Sequence, residues 1–88
     1  MTKELTQTFS QTTVTETYRI VLYNDEVNSF DWVIQSLIDI CEHSATQAEQ
    51  CAWIVHLKGK YVIKSGDKRD MVDRCIGLLN RGLTAEVE

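Results

Sequence analysis

Proline is absent from all 88 residues, an absence compatible with helices and strands alike that excludes nothing by itself. Other absences are sharper. The longest uninterrupted apolar stretches, such as Ala52 to Val55, fall far short of the roughly 20 residues a membrane span requires. No basic start, apolar run and small-residue cleavage site marks a secretory signal either, so a cytoplasmic location is expected. The three cysteines, Cys41, Cys51 and Cys75, form no C-x-x-C pair and are odd in number, which fits reduced thiols better than a disulfide framework. All three sit in helical patterns among apolar residues and read as small buried hydrophobes, with a nucleophile or metal ligand as the alternative.

Catalytic motifs are missing too. No G-x-x-x-x-G-K, G-x-S-x-G or H-E-x-x-H occurs. Neither His43 nor His56 has cysteine or histidine partners at zinc-ligand spacing, Cys41-x-His43 being a weak approach to one. The chain is therefore not expected to be an enzyme, and no cofactor or metal is expected. Nine basic residues against thirteen acidic ones give a net charge of −4, and the basic ones are scattered, so the electrostatic footprint of a nucleic-acid binder is lacking.

What is present suits one small domain, with 43% apolar and 25% charged residues. A chain this short buries only roughly 60% of its unfolded surface, which leaves room for one modest core and no deep multilayered cleft. Residues 1–17 hold seven threonines and only Leu5, Phe9 and Val14 as larger apolar residues. This segment reads as a flexible tail, followed by a domain over 18–88.

Within that domain, Tyr18, Ile20 and Leu22 alternate with Arg19, Val21 and Tyr23, a strand pattern in strand-favouring residue types. Asn24, Asp25 and Glu26 end it, and Asn28 with Asp31 approximates a helix capping box. Phe30, Val33, Ile34, Leu37 and Cys41 then recur at three- and four-residue steps, as one face of an amphipathic helix. Ser44 with Gln47 caps a second helix that Gly59 stops. Tyr61 to Ile63 make a short strand, Ser65, Gly66 and Asp67 a turn and cap, and Met71, Val72, Cys75, Ile76 and Leu79 the inner face of a third helix ended by Gly82. Leu83, Ala85 and Val87 alternate with polar residues in a last strand. The order β-α-α-β-α-β predicts an α+β two-layer sandwich, with three helices covering one face of a three-stranded antiparallel sheet. Its architecture is similar to the C-terminal domain of the ribosomal stalk protein.

The informative polar groups are Asn24-Asp25-Glu26, between strand and helix, and His56, which shares a helix face with Ala52 and Val55 at i, i+3 and i+4. Read alone, Asn24 and Asp25 form a turn and His56 is a surface histidine. The wider pattern says more. Tyr18-Arg19-Ile20-Val21-Leu22-Tyr23-Asn24-Asp25-Glu26 resembles the opening strand and N-D-D turn of the ClpS adaptor family. Phe30-Asp31-Trp32-Val33-Ile34 resembles that family's M-E-F-V segment, and Val55-His56-Leu57-Lys58-Gly59-Lys60 its V-H-x-x-G-K segment. The resemblance covers about Tyr18 to Leu79, with no gap between the blocks.

The resemblance implies an adaptor that binds the free N-terminal residue of a substrate protein and delivers it to a ClpA-like or related Clp AAA+ unfoldase. It implies that Asn24, Asp25 and His56 accept hydrogen bonds from the terminal ammonium, while Phe30, Val33, Ala52, Val55 and Leu83 wall a pocket for a large hydrophobic first side chain. Arg69 and Arg74 would face the unfoldase. No nucleic acid or membrane partner is expected, and a monomer is. The alternative is a domain of this fold with a different peptide or protein ligand. Departures from the family pattern are Glu26 for aspartate, Val27-Asn28-Ser29 for Y-T-P, and Phe30 and Ala52 for two pocket methionines. Arg69 replaces an acidic residue, and the link from Asn80 to Thr84 is shorter.

Overall fold

The computed structural model describes residues 16–88. The tail expected over 1–17 therefore lies, Glu16 and Thr17 apart, outside the described residues. Six elements follow in the order β1 (Tyr18–Tyr23), α1 (Phe30–Cys41), α2 (Ala45–Lys58), β2 (Lys60–Gly66), α3 (Lys68–Asn80) and β3 (Thr84–Val87). The sheet is antiparallel in the order β2-β1-β3, and the helices cover one face of it. Its central strand is the one with the densest apolar sequence, as burial on both flanks demands: Ile20 and Leu22 are buried against the helices. Val21, expected on the solvent side, is buried as well, between its ladder partners Val62 and Glu86.

Strand β2 is longer than the sequence predicts. Ser65 and Gly66, expected as a turn, pair with Arg19 and Tyr18, so that Asp67 alone separates strand from helix and caps α3 by accepting from the Asp70 N–H at 3.0 Å. The ladder extends the strand because pairing satisfies backbone groups that a turn would leave to water. Register shifts once, between Ile20, opposite Lys64, and Val21, opposite Val62, which leaves Ile63 as the extra residue of a bulge. Its carbonyl oxygen lies 2.9 Å from Nε2 of buried His43 at the α1–α2 junction.

The core gathers Ile20, Leu22, Leu37, Cys41, Ala48, Cys51, Val55, Ile63, Met71, Cys75, Leu78, Leu83 and Ala85. On α3 the buried stripe is Met71, Cys75 and Leu78, while Ile76 and Leu79, expected inside, are about half exposed. Steps of four and three residues return to one angle on a 3.6-residue helix, whereas Val72, Ile76 and Leu79 form a neighbouring stripe turned roughly 100° away. The α1 cap also differs from expectation. Ser29 accepts from the Trp32 N–H at 3.1 Å, and Asn28 is engaged elsewhere.

Two glycines set the ends that matter for the site. Gly59, at φ 92°, closes α2 by donating to the Val55 carbonyl at 2.8 Å. Gly82, at φ 87°, closes α3 in a Schellman arrangement: its N–H reaches Leu79 O at 2.9 Å and the Leu83 N–H reaches Leu78 O at 3.1 Å. That motif characteristically brings the residue after the glycine onto the last helical turn, and Leu83 accordingly packs in the core with Leu78.

Candidate functional site

At its C-terminal end β1 runs into α2. The Asn24 N–H donates to Gly59 O at 2.8 Å, so the polar run that leaves the strand is pinned beside the last turn of α2, where His56 stands. One cavity of about 380 Å³ opens there. Asn24, Asp25, Glu26 and His56 line it together with Phe30 and Val33 of α1, Ala52 and Val55 of α2, and Leu83 from the α3–β3 link. Every residue singled out from the sequence for the amine and pocket roles thus borders a single space. The short link does not draw Leu83 away, because the Schellman turn delivers it to the cavity wall, where it is 4% exposed.

The acidic run is divided in its tasks. Asp25 Oδ1 accepts from the N–H groups of Val27 and Asn28, both at 2.9 Å, and the Asn28 amide bonds to both carboxylate oxygens at 3.2 and 2.9 Å. Partial burial pushes this carboxyl up. The Asn28 backbone and side chain, the Val27 N–H and the Thr84 hydroxyl outweigh it and hold the group below its ordinary value. Asp25 is therefore ionised at neutral pH and largely consumed in shaping the loop. Glu26 is exposed at the cavity edge.

Asn28 carries the loop's second anchor. Its amide also donates to Gly82 O at 2.9 Å, so one side chain ties the Asp25 loop to the turn that presents Leu83. The same turn is held by the Trp32 indole N–H, which donates to Arg81 O at 3.0 Å, and by Arg81, which reaches Asp39 at 2.9 Å. The Arg81 guanidinium lies 5.1 Å above the Trp32 ring. Sequence reasoning missed Asn28, whose signal was its position two residues after the acidic run in a loop already marked as polar.

It missed Trp53 as well. This residue precedes His56 by one turn and stacks on Phe30 with ring centroids 4.7 Å apart and planes tilted by 56°. His56 meets both rings edge-on, at 6.5 Å from Phe30 and 6.0 Å from Trp53. Such aromatic pairs contribute about 0.5–1.5 kcal/mol each beyond their buried area.

The two arginines assigned to docking differ. Arg74 bonds Asp70 at 2.9 Å and the Ile40 carbonyl at 2.7 Å, with Glu42 at 3.8 Å, so it clamps α3 to the end of α1. Arg69 is exposed on α3. Among the described residues no cluster of histidine, cysteine and carboxylate side chains could hold a metal ion, and no helix is long and apolar enough to cross a membrane. Burial pushes the Cys41 thiol up to about 11, which leaves almost no thiolate at neutral pH to act as a nucleophile.

Residues 13–86 match the family model described as ATP-dependent Clp protease adaptor protein ClpS. The chain belongs to the ClpS family. ClpS adapter proteins of Campylobacter jejuni, among them those of strains 81-176 and RM1221, are 36% identical over 56 residues, covering 61% of this chain. The chain spans 58% of the length of those curated relatives. The solved structure of Agrobacterium tumefaciens ClpS2 bound to L-phenylalaninamide superposes with a TM-score of 0.78. At 17% identity it covers 82% of this chain and 94% of its own, a likeness that carries the fold. For a ClpS family member, the ring stack of Trp53 and Phe30 and the Asn28 bridge are the features that local sequence reading left out.

Proposed function

We propose that this chain captures proteins by a free, hydrophobic N-terminal residue and delivers them to a ClpA-like or related Clp AAA+ unfoldase. The observation that supports this best is the polarity of the cavity. Asn24, Asp25 and His56, with Glu26 beside them, give its lining polar groups, and Phe30, Val33, Ala52, Val55 and Leu83 give it an apolar wall. An α-amino group has a reference pKa near 7.7–8.0, so at neutral pH it brings three donors and a positive charge next to an apolar side chain. Such a ligand matches both kinds of lining at once. The His56 ring and the Asn24 side chain offer acceptor atoms, and the acidic run supplies the negative charge.

The cavity falls in the lower part of the roughly 300–1,000 Å³ range of small-ligand sites, a size for one side chain and not for a folded segment. A charge-assisted hydrogen bond contributes about 1.5–3 kcal/mol and a buried Leu or Phe about 1.5–3 kcal/mol. After the cost of association, affinities near micromolar follow, suited to an adaptor that must release its cargo. The relative whose bound ligand is L-phenylalaninamide presents the same combination of free amine and apolar side chain. Docking to the unfoldase would engage Arg69 directly, with Arg74 fixing the helix that carries it.

Peptides that differ only in acetylation of the first residue test the reading. Binding to the blocked peptide should fall at least tenfold, since acetylation removes the charge and two of three donors. Equal affinity would end the proposal in favour of a ClpS-fold domain with another ligand.

A further inference from the structure

Phe30 is the first residue of α1, directly after the Ser29 cap. A side chain inside a helix is confined by the preceding turn, which crowds out one of its rotamers; at the first position that turn does not exist. The Phe30 wall of the cavity therefore owes its position to what packs on the ring. The aromatic neighbours of the Phe30 ring are Trp53, at 4.7 Å, and His56, at 6.5 Å. Trp53 is not among the residues that line the cavity, and it is 48% exposed. It stands outside the wall and presses on two of its members, Phe30 and His56, the latter at 6.0 Å.

From this geometry we infer that Trp53 is a specificity-determining residue: a buttress that fixes the Phe30 ring and so sets the width of the cavity beside the amine-binding end. The inference rests on the end-recognition reading above. Its physical content is exclusion. The Phe30 and His56 rings meet edge to face, so the part of the cavity that Phe30 borders adjoins the end where the ammonium would sit. The part of a first residue lying there is the base of its side chain, where Ile and Val branch and Leu does not. A fixed ring rejects the branch, whereas a ring free to turn away admits it. Trp53 thereby acts on which first residues enter, through Phe30, without touching any of them.

The test uses the full chain and its Trp53→Ala and Trp53→Phe variants, with peptides that begin with Leu, Phe, Ile or Val and are otherwise identical, each labelled and followed by fluorescence anisotropy. In the wild type, Leu should be preferred over Val. In Trp53→Ala the Leu-to-Val ratio of affinities should shrink by about three- to tenfold, at or below the low end of the roughly 10- to 200-fold by which one methylene alters selection in an apolar pocket, while Trp53→Phe keeps the wild-type ratio. Circular dichroism of both variants should stay near wild type, while Trp53→Ala should unfold at a somewhat lower temperature because it loses the ring contacts to Phe30 and His56. A Trp53→Ala variant that weakens all four peptides by the same factor, or none, overturns the inference, because loss of general support cannot change a ratio. So does a Trp53→Ala chain that fails to fold while Trp53→Phe alters the ratio as much as a deletion would. A wild type that binds free and N-acetylated peptides alike overturns the end-recognition reading and this inference together, whereas one that selects free ends with an unmoved ratio in Trp53→Ala overturns this inference alone.

Discussion

Replacing Ala52 with methionine puts three heavy atoms into the cavity from a position that is 3% exposed and borders it directly. The neighbours on that face of α2 are Val55, one turn on, and His56, and across the space stand Phe30, Val33 and Leu83. Because the added atoms find an existing opening, overpacking of the kind that costs about 1–3 kcal/mol in a filled core should be largely avoided. The melting temperature should then change by less than about 4–8 °C, the shift that 1 kcal/mol produces in a domain of this size. Ligands lose what the methionine occupies. A Leu-initiated peptide, unbranched at Cβ, can share the space and should weaken by less than about fivefold. Trp-initiated peptides, which need width at the Ala52 side, should lose about 1–3 kcal/mol, or roughly 10- to 200-fold. Titration of the labelled peptide series reports the ratios. Uniform weakening across the series would show that Ala52 does not border the bound side chain. A large drop in melting temperature would show instead that the methionine had been forced into the core.

Deleting residues 1–17 should leave peptide affinity within twofold, since among the described residues the cavity lining starts at Leu22, while degradation of a model substrate by the adaptor, unfoldase and protease should slow severalfold; full-rate degradation would remove the tail from delivery. His43 gives the fold an acid limb: burial holds its imidazole below the ordinary value, against the hydrogen bond to Ile63 O, which favours protonation, and with the charge of Lys64 adding to the lowering. The unfolded chain then binds more protons than the folded one just below pH 6.5, so stability should be full above that value and decline as pH falls through it. His43→Gln, which can still donate to Ile63 O but takes up no proton, should flatten this limb in urea titrations between pH 7 and 5; an unchanged slope would clear His43 of the effect.

Elements whose ends are written in adjacent residues were readable. Ser44 with Gln47 and Gly59 bound α2 as its sequence predicts, because an N-cap and a left-handed stop need only their own turn of backbone. Strand β1 was readable for the same reason, its alternation being a property of six consecutive residues. Where a distant segment decides, sequence order misleads. Gly66 became part of a strand through its pairing with Tyr18, and Leu78 displaced Leu79 from the core because the stripe's angle was fixed by Met71 and Cys75 packing under the sheet. The candidate site divides along the same line. Asn24, Asp25 and His56 could be picked out through blocks of consecutive residues that resemble one family, whereas the parts that fix their surroundings join residues far apart in the chain.

Asn28 shows what that division means for the site. Its amide meets Asp25 three residues away and Gly82 fifty-four residues away, and the second contact is not written in its neighbours. Local rules made it a helix cap, a task that Ser29 performs one residue later, because a cap needs an oxygen near the first turn and either residue has one. What separates them is the carbonyl of Gly82, available only because the α3–β3 link turns within Arg81 to Leu83. The turn of that link and the asparagine at position 28 are thus two halves of one contact. A longer link would move Gly82 O out of reach of a side chain on this loop. A residue without an amide at position 28 would leave the turn that carries Leu83 tied to α1 only through Trp32 and Asp39. The pocket's hydrophobic wall and its charged rim are held in register by the Asn28 amide and by the Thr84 hydroxyl on Asp25, so changes in either the link or the loop should be tolerated only together.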